Sequence, residues 1–121
     1  MQGEPDVSPF TQIYQYLTKA DEEIFIKSTT MIQDRLNRNL KININEALSV
    51  YSTFIVSELR GNKSIEQIQK NTYGLLRPEQ VMIGVPETLR KVSFEVTLDE
   101  STNLIVLNTP IQIFDYVLKS T

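Results

Sequence analysis

The sequence predicts an α+β fold, with a bundle of three to four helices followed by a C-terminal antiparallel β-hairpin. Apolar residues recur at helical spacing as far as Leu75, and residues typical of helix ends bound those stretches. From Val92 onward the spacing changes to alternation of apolar and polar residues. Because helices and strands occupy separate parts of the chain, the order favours α+β over alternating α/β.

Each predicted helix begins or ends at a residue with a known capping preference. Two begin with a capping box, in which two residues three apart bond each other's backbone. The first predicted helix spans 19–37, with Thr18 as N-cap and Asn39 as a left-handed stop. The second begins at the capping box of Asn43 and Glu46 and ends at Gly61-Asn62, and the third begins at the box of Ser64 and Gln67 and ends at Gly74. A short fourth helix is predicted from Pro78 to Ile83, where Gly84 ends it and Val85-Pro86 forms an extended link.

Two strands are predicted after the helices. Residues 92–98 alternate so that one face is apolar and the other polar, and 99–102 form a polar turn. The second strand, 104–107, is apolar on both faces and ends at Pro110. Helices on one side cannot cover both of its faces, so we expect the C-terminal tail or another subunit to cover the second.

The chain divides into three predicted regions. Residues 1–17 are an N-terminal extension, 18–111 are one domain, and 112–121 are a tail that is ambiguous between strand and helix. A short helical turn is predicted at the end of the extension, where four apolar residues have helical spacing: Phe10, Ile13, Tyr14 and Leu17.

Composition excludes several kinds of protein. The 121 residues are 40% apolar, which suits a folded domain, and carry a net charge of −3, which disfavours nonspecific nucleic-acid binding. No apolar run could span a membrane and the N-terminus does not resemble a secretory signal, so we expect a cytoplasmic protein. The chain has no histidine and no cysteine, so it offers neither a usual general base nor a soft metal ligand. We therefore predict no catalytic, cofactor-binding or metal-binding residue in it.

One basic cluster stands out, formed by Arg35, Arg38 and Lys41. The two arginines are three residues apart and would share a helix face. They could pair with acidic neighbours on a solvated surface, or their guanidinium groups could bind a partner subunit. The sequence leaves both interpretations open.

Two motifs of the chain belong together, RLNRNLKININEA from Arg35 and EQVMIGVPE from Glu79. They give the chain a resemblance to the gamma subunit of microbial urease, whose family patterns are R-L-A-R-G-L-K-L-N-x-x-E-A and E-Q-V-M-x-G-V-P-E. The same register continues to Ile111. The matching residues are Arg35, Leu36, Arg38, Leu40, Lys41, Asn43, Glu46, Ala47, Glu79, Gln80, Val81, Met82, Gly84, Val85, Pro86 and Glu87, with Glu95, Thr97, Thr102, Leu104, Pro110 and Ile111 in the hairpin.

The chain departs from that family pattern at several places. Asn39 replaces a glycine, and residues 99–102 replace the turn sequence P-D-G-T. Asn108 stands where the family's closing V-H-x-P-I motif has histidine. These differences leave open an alternative, in which the chain is a gamma-like paralogue that self-assembles or acts as a scaffold without urease activity.

The resemblance implies a noncatalytic structural subunit of a urease-type nickel amidohydrolase. The large alpha subunit would hold the nickel and hydrolyse urea to ammonia and carbon dioxide, and the partners would be alpha and beta subunits in a symmetric hetero-oligomer. A winged-helix DNA-binding domain would also have three helices before a hairpin, but Asp99 and Glu100 at the wing tip would repel phosphate. The predicted subunit interface comprises Arg35, Arg38, Lys41, Val81, Met82, Ile105, Leu107, Pro110 and Ile111.

Overall fold

The computed structural model describes residues 13–18 and 22–111, and for 14–16 and 22–26 it describes the backbone alone. It confirms the α+β class, with the helices preceding an antiparallel hairpin. The elements are β1 (Ile13–Thr18), α1 (Glu22–Asn37), α2 (Ile44–Arg60), α3 (Ile65–Thr72), a 3₁₀ turn (Pro78–Gln80), α4 (Val85–Thr88), β2 (Lys91–Leu98) and β3 (Ser101–Asn108).

The described strands form one sheet in the order β1-β2-β3. The predicted hairpin of β2 and β3 is confirmed, with Val92 opposite Leu107 and Leu98 opposite Ser101. Asp99 enters the connecting turn with a φ of 55°, a left-handed conformation that aspartate tolerates better than most residues. The turn therefore forms without the proline and glycine of the family pattern.

Strand β1 is a departure from the sequence prediction. A helical turn was expected at its residues, but Ile13–Thr18 pairs in parallel with β2, placing Ile13 opposite Val92 and Leu17 opposite Val96. The residues fit both spacings, and the strand form is preferred because β2 supplies backbone partners and Leu17 becomes buried. The last part of the predicted N-terminal extension thus belongs to the sheet, while Phe10 lies outside the described residues.

The three longer helices lie close to their predicted positions. Helix α1 begins at Glu22, and the proposed cap Thr18 is instead the last residue of β1. Helix α2 and its Asn43 cap agree with the prediction. Helix α3 ends at Thr72, two residues before the predicted glycine, because the backbone of the next residue, Tyr73, is extended (φ −69°, ψ 129°).

The predicted fourth helix is wrong in extent. Only Pro78–Gln80 forms a 3₁₀ turn, and Val81 then joins Ile42 in a parallel β-bridge. Backbone bonds from Ile42 to Gln80 (3.0 Å) and from Met82 to Ile42 (2.9 Å) hold this segment extended. These long-range partners replace the intrahelical bonds that would have continued the helix.

The predicted extended link at Val85-Pro86 is also wrong. Gly84 adopts a left-handed φ of 93°, and Val85–Thr88 forms the short helix α4. Proline is tolerated in a first helical turn because its missing N–H would have no partner there. The Thr88 backbone N–H bonds to the Gly84 carbonyl and closes the turn.

The core lies between one face of the sheet and the helices. On β2 and β3 the alternating residues Phe94, Val96, Ile105 and Leu107 are fully buried. Tyr51 of α2 is the largest fully buried side chain facing them. No helix in the described ranges has the length and apolar character needed to cross a membrane.

Candidate subunit interface

The junction of α1 and α2 positions the predicted basic cluster. Asn39 ends α1 with a φ of 60°, as predicted, and the Leu40 N–H bonds back to the Arg35 carbonyl at 2.9 Å. Residues 40–43 then run beside the Glu79–Met82 segment through the Ile42–Val81 bridge. Arg35 therefore lies in the last turn of α1, and Arg38 and Lys41 lie on the short, hydrogen-bonded connection that follows it.

Each cation of this cluster has a partner within the chain. Arg35 forms an ion pair with Glu46, and Arg38 pairs with Asp34 at 3.4 Å. The Lys41 ammonium donates a hydrogen bond of 2.8 Å to the Glu79 backbone carbonyl. Of the two interpretations that the sequence left open, the arrangement of the arginines favours pairing with acidic neighbours.

Glu46 connects the two helices at this junction. One carboxylate oxygen accepts the Asn43 backbone N–H at 2.9 Å and completes the capping box of α2. The other pairs with Arg35, which lies in the last turn of α1. A single side chain thus caps one helix and holds the end of the other, which fixes the surface around it.

That surface is largely apolar, and we call Met31, Ile44, Met82 and Ile83 the methionine surface. Met82 is 46% exposed and Ile83 is completely exposed at the turn before the left-handed Gly84. Two shallow depressions lie here, one containing Met31 and the other Ile44, Met82 and Ile83, and both are lined by Asn43. Large side chains held in water by a constrained turn are typical of a protein-binding surface.

The remaining apolar residues of the predicted interface lie inside the chain. All five are buried, so their surfaces contact this chain's own core and leave little area for a partner. The residues concerned are Val81, Ile105, Leu107, Pro110 and Ile111. Their role in an interface stays a prediction, and Met82 is the one apolar member of the predicted set that reaches the surface.

Sequence reasoning missed Met31 and Ile83. Met31 follows the helical spacing of the apolar residues of α1, yet it is 64% exposed. Ile83 was assigned to the end of a predicted helix of which only Pro78–Gln80 forms, as a 3₁₀ turn. The available signal was the pair Met82-Ile83 directly before Gly84, since glycine is favoured where a chain turns with a positive φ and turns commonly lie at the surface.

Among the side chains that the structure describes, Tyr51 and Glu79 have displaced pKa values. Burial raises the pKa of the Tyr51 phenol, so it stays neutral over the physiological range. A hydrogen bond from its own backbone and one from Arg77 lower the pKa of the exposed Glu79 carboxyl. Both shifts move the pKa away from neutral pH, whereas a general acid or base functions best with a pKa close to it.

The residues do not fit a nickel site of the chain's own. Imidazole and thiolate ligands are lacking in the full sequence. Within the part of the chain that the structure describes, no three carboxylates converge in a metal-binding group. What this region offers chemically is a rigid apolar surface bordered by paired charges, which defines the class of a small α+β protein suited to packing against other proteins.

Comparison with known proteins identifies the family. Residues 15–111 match the family model described as "Urease, gamma subunit". The chain is 32% identical to urease subunit gamma of Halalkalibacterium halodurans over 92 residues, covering 75% of this chain and 92% of that protein. It is 33% identical to urease subunit gamma of Synechococcus sp. (strain CC9605), covering 76% and 92%. The chain belongs to the urease gamma subunit family.

Proposed function

We propose that this chain is a noncatalytic structural subunit of a urease-type complex. The observation that carries the proposal is membership of the gamma family by a chain with no histidine or cysteine. Such a chain can supply shape and contact area, while nickel and urea hydrolysis would belong to the large alpha subunit. The expected partners are alpha and beta subunits in a symmetric hetero-oligomer, and a cytoplasmic location stays a prediction.

The methionine surface is the contact that we propose for a partner subunit. Burying Met82 and Ile83 removes apolar area from water, which favours association by roughly 25 cal/mol per Å². Because the nearby Arg35 and Arg38 are paired within the chain, docking would not leave either charge unpaired. The surface is also held by the Ile42–Val81 bridge, so little ordering would be needed on binding.

Copurification tests the subunit role. The chain should be coexpressed with alpha and beta subunits of a urease, and the complex isolated through a tag on the alpha subunit. We expect the untagged chain to coelute in fixed ratio with a nickel-containing complex that hydrolyses urea. If it elutes alone while the other two assemble, the proposal is wrong, and a defined self-assembly in light scattering would support the paralogue alternative.

Substitution at Ile83 tests the methionine surface. Ile83→Asp places a charge at the most exposed apolar position, and we expect affinity for the partner subunits to fall about tenfold or more. Ile65→Asp is the matched control, since Ile65 is 37% exposed and aspartate suits the first turn of α3. Binding measured by interferometry should separate the two variants, and equal binding by both would exclude this surface as the contact.

A further inference from the structure

The oxidisable sulfur of this chain is confined to methionine. The full sequence has three methionines and no cysteine, so no thiol competes with them for a peroxide. Met1 lies outside the described residues, and the other two, Met31 and Met82, both belong to the methionine surface. Within the part of the chain that the structure describes, all of the sulfur therefore lies at the surface proposed as the partner contact.

Both methionine side chains are open to solvent, although methionine is a residue type that is commonly buried. Met31 is 64% exposed and Met82 is 46% exposed. Each lines a shallow depression, and Asn43 lines both depressions. A small oxidant dissolved in water can thus reach both side chains without any opening of the fold.

Backbone hydrogen bonds fix the positions of the two methionines. The Met82 N–H donates to the Ile42 carbonyl at 2.9 Å, and the Met82 carbonyl accepts from the Val85 N–H at 3.1 Å. Met31 lies in the interior of helix α1. Because both backbone positions are held in this way, neither side chain can be withdrawn into the core by a local shift of its own backbone.

The reaction of a methionine with hydrogen peroxide balances without a further reagent. A sulfur lone pair attacks one peroxide oxygen, the O–O bond breaks, an S–O bond forms, and the second oxygen leaves as water with both hydrogens. The sulfur loses two electrons, which the peroxide gains. The product, methionine sulfoxide, is polar where the thioether was apolar.

A sulfoxide would change how the methionine surface interacts with water. Its oxygen accepts hydrogen bonds from water while the chain is free. Docking of a partner would remove this water, and burial of a polar group costs free energy unless a new hydrogen bond replaces the lost one. At Met82 this cost would arise directly beside Ile83, the most exposed apolar residue of the surface.

We propose that Met31 and Met82 are oxidation sites through which a peroxide controls the assembly of this chain with its partner subunits. Conversion to the sulfoxide in the free chain prevents docking, whereas docking covers both side chains and slows their oxidation. The inference rests on the proposed function, because it concerns the same surface. The hydrophobic core of the described residues contains no methionine, so oxidation leaves that core intact.

Oxidation of the isolated chain tests this proposal. The chain is treated with hydrogen peroxide, the excess is removed with catalase, and peptide mass spectrometry confirms one added oxygen on Met31 and on Met82. Binding to untreated alpha and beta subunits is then measured by interferometry, and we expect the affinity to fall about tenfold or more. Treatment with methionine sulfoxide reductases A and B and dithiothreitol should restore binding, which distinguishes this effect from irreversible unfolding.

A chain carrying both Met31→Leu and Met82→Leu is the matched control. Leucine is apolar and similar in volume to methionine, and it has no sulfur to oxidise. The variant is compared only with its own untreated sample, and peroxide should have no effect on its affinity. An equal loss of affinity in the variant and the native chain, or full affinity of the oxidised native chain, would overturn the inference.

A second measurement needs no variant. The rate of oxidation at each methionine is compared between the free chain and the assembled complex, and we expect it to be about tenfold lower in the complex. Equal rates in a chain that is bound would overturn the inference and leave the subunit role standing. Failure of the untreated chain to bind its partners would instead overturn the proposed function, and this inference with it.

Discussion

The starts of α2 and α3 carry the same motif in different surroundings. At α2 the two bonds of the capping box between Asn43 and Glu46 are both 2.9 Å. At α3 the corresponding bonds between Ser64 and Gln67 are 3.4 and 3.2 Å. The hydrogen bonds of the first box are therefore shorter, although both boxes pair a short polar residue with a longer one three positions later.

Tertiary contacts account for the difference. Glu46 is held by Arg35 from α1, and its side chain is only 16% exposed. The residue preceding Asn43 is the fully buried Ile42, which is bridged to Val81. The whole segment around Ser64 is exposed. A local motif thus sets where a helix begins, while long-range neighbours determine how much its loss would cost.

The largest predicted effect separates the two N-caps. Asn43→Ala should lower the free energy of unfolding by about 1–2 kcal/mol, toward the upper end of cap substitutions. Ser64→Ala should lower it by only about 0.5–1 kcal/mol, because its longer bonds compete with water. Urea denaturation followed by circular dichroism measures both, and a larger loss from Ser64→Ala would contradict the role given to tertiary support.

A smaller effect isolates the ion pair from the cap. Glu46→Gln retains an oxygen that can accept the Asn43 N–H but removes the charge facing Arg35. The arginine side chain is 44% exposed, so solvent screening should limit the loss to about 0.5–1 kcal/mol. Gln67→Glu is the matched control at the other box, where no comparable loss is expected.

A double-mutant cycle sharpens this assignment. Combining Glu46→Gln with Arg35→Ala should cost less than the sum of the two single variants, since both remove one interaction. The coupling should weaken in 1 M salt, where the screening length is about 3 Å. Strict additivity at low salt would mean that the pair does not stabilise the junction.

The sequence was sufficient for features encoded within a few residues. Both capping boxes, the left-handed Asn39 and the alternation that produces the hairpin were predicted and are present. Strand β1 was missed because its stability depends on β2, which lies far along the chain. The Ile42–Val81 bridge replaced a predicted helix for the same reason.

The candidate interface was predictable in part. Family motifs indicated the region around Arg35–Lys41 and Met82, and this region adjoins the exposed apolar surface. Burial could not be assigned to individual residues of an apolar run, so Ile105 and Leu107 were grouped with surface candidates. Ile83 is exposed at the left-handed turn at Gly84. Because a helix was predicted up to Ile83, this exposure was not predicted.

The smallest predicted effect concerns a third helical start, the 3₁₀ turn at Pro78. The Glu79 carboxylate accepts a hydrogen bond of 2.9 Å from Arg77, and its own backbone bond also lowers its pKa. A lowered pKa means that folding favours the charged carboxylate. Its contribution to the free energy of unfolding is therefore present above the ordinary glutamate pKa and is lost as the pH falls through the lowered value. Arg77→Ala should raise the Glu79 pKa only partway, because the backbone bond is the larger cause. NMR titration of the side-chain carboxyl measures this, and a complete return to the ordinary value would show that Arg77 alone holds the charge.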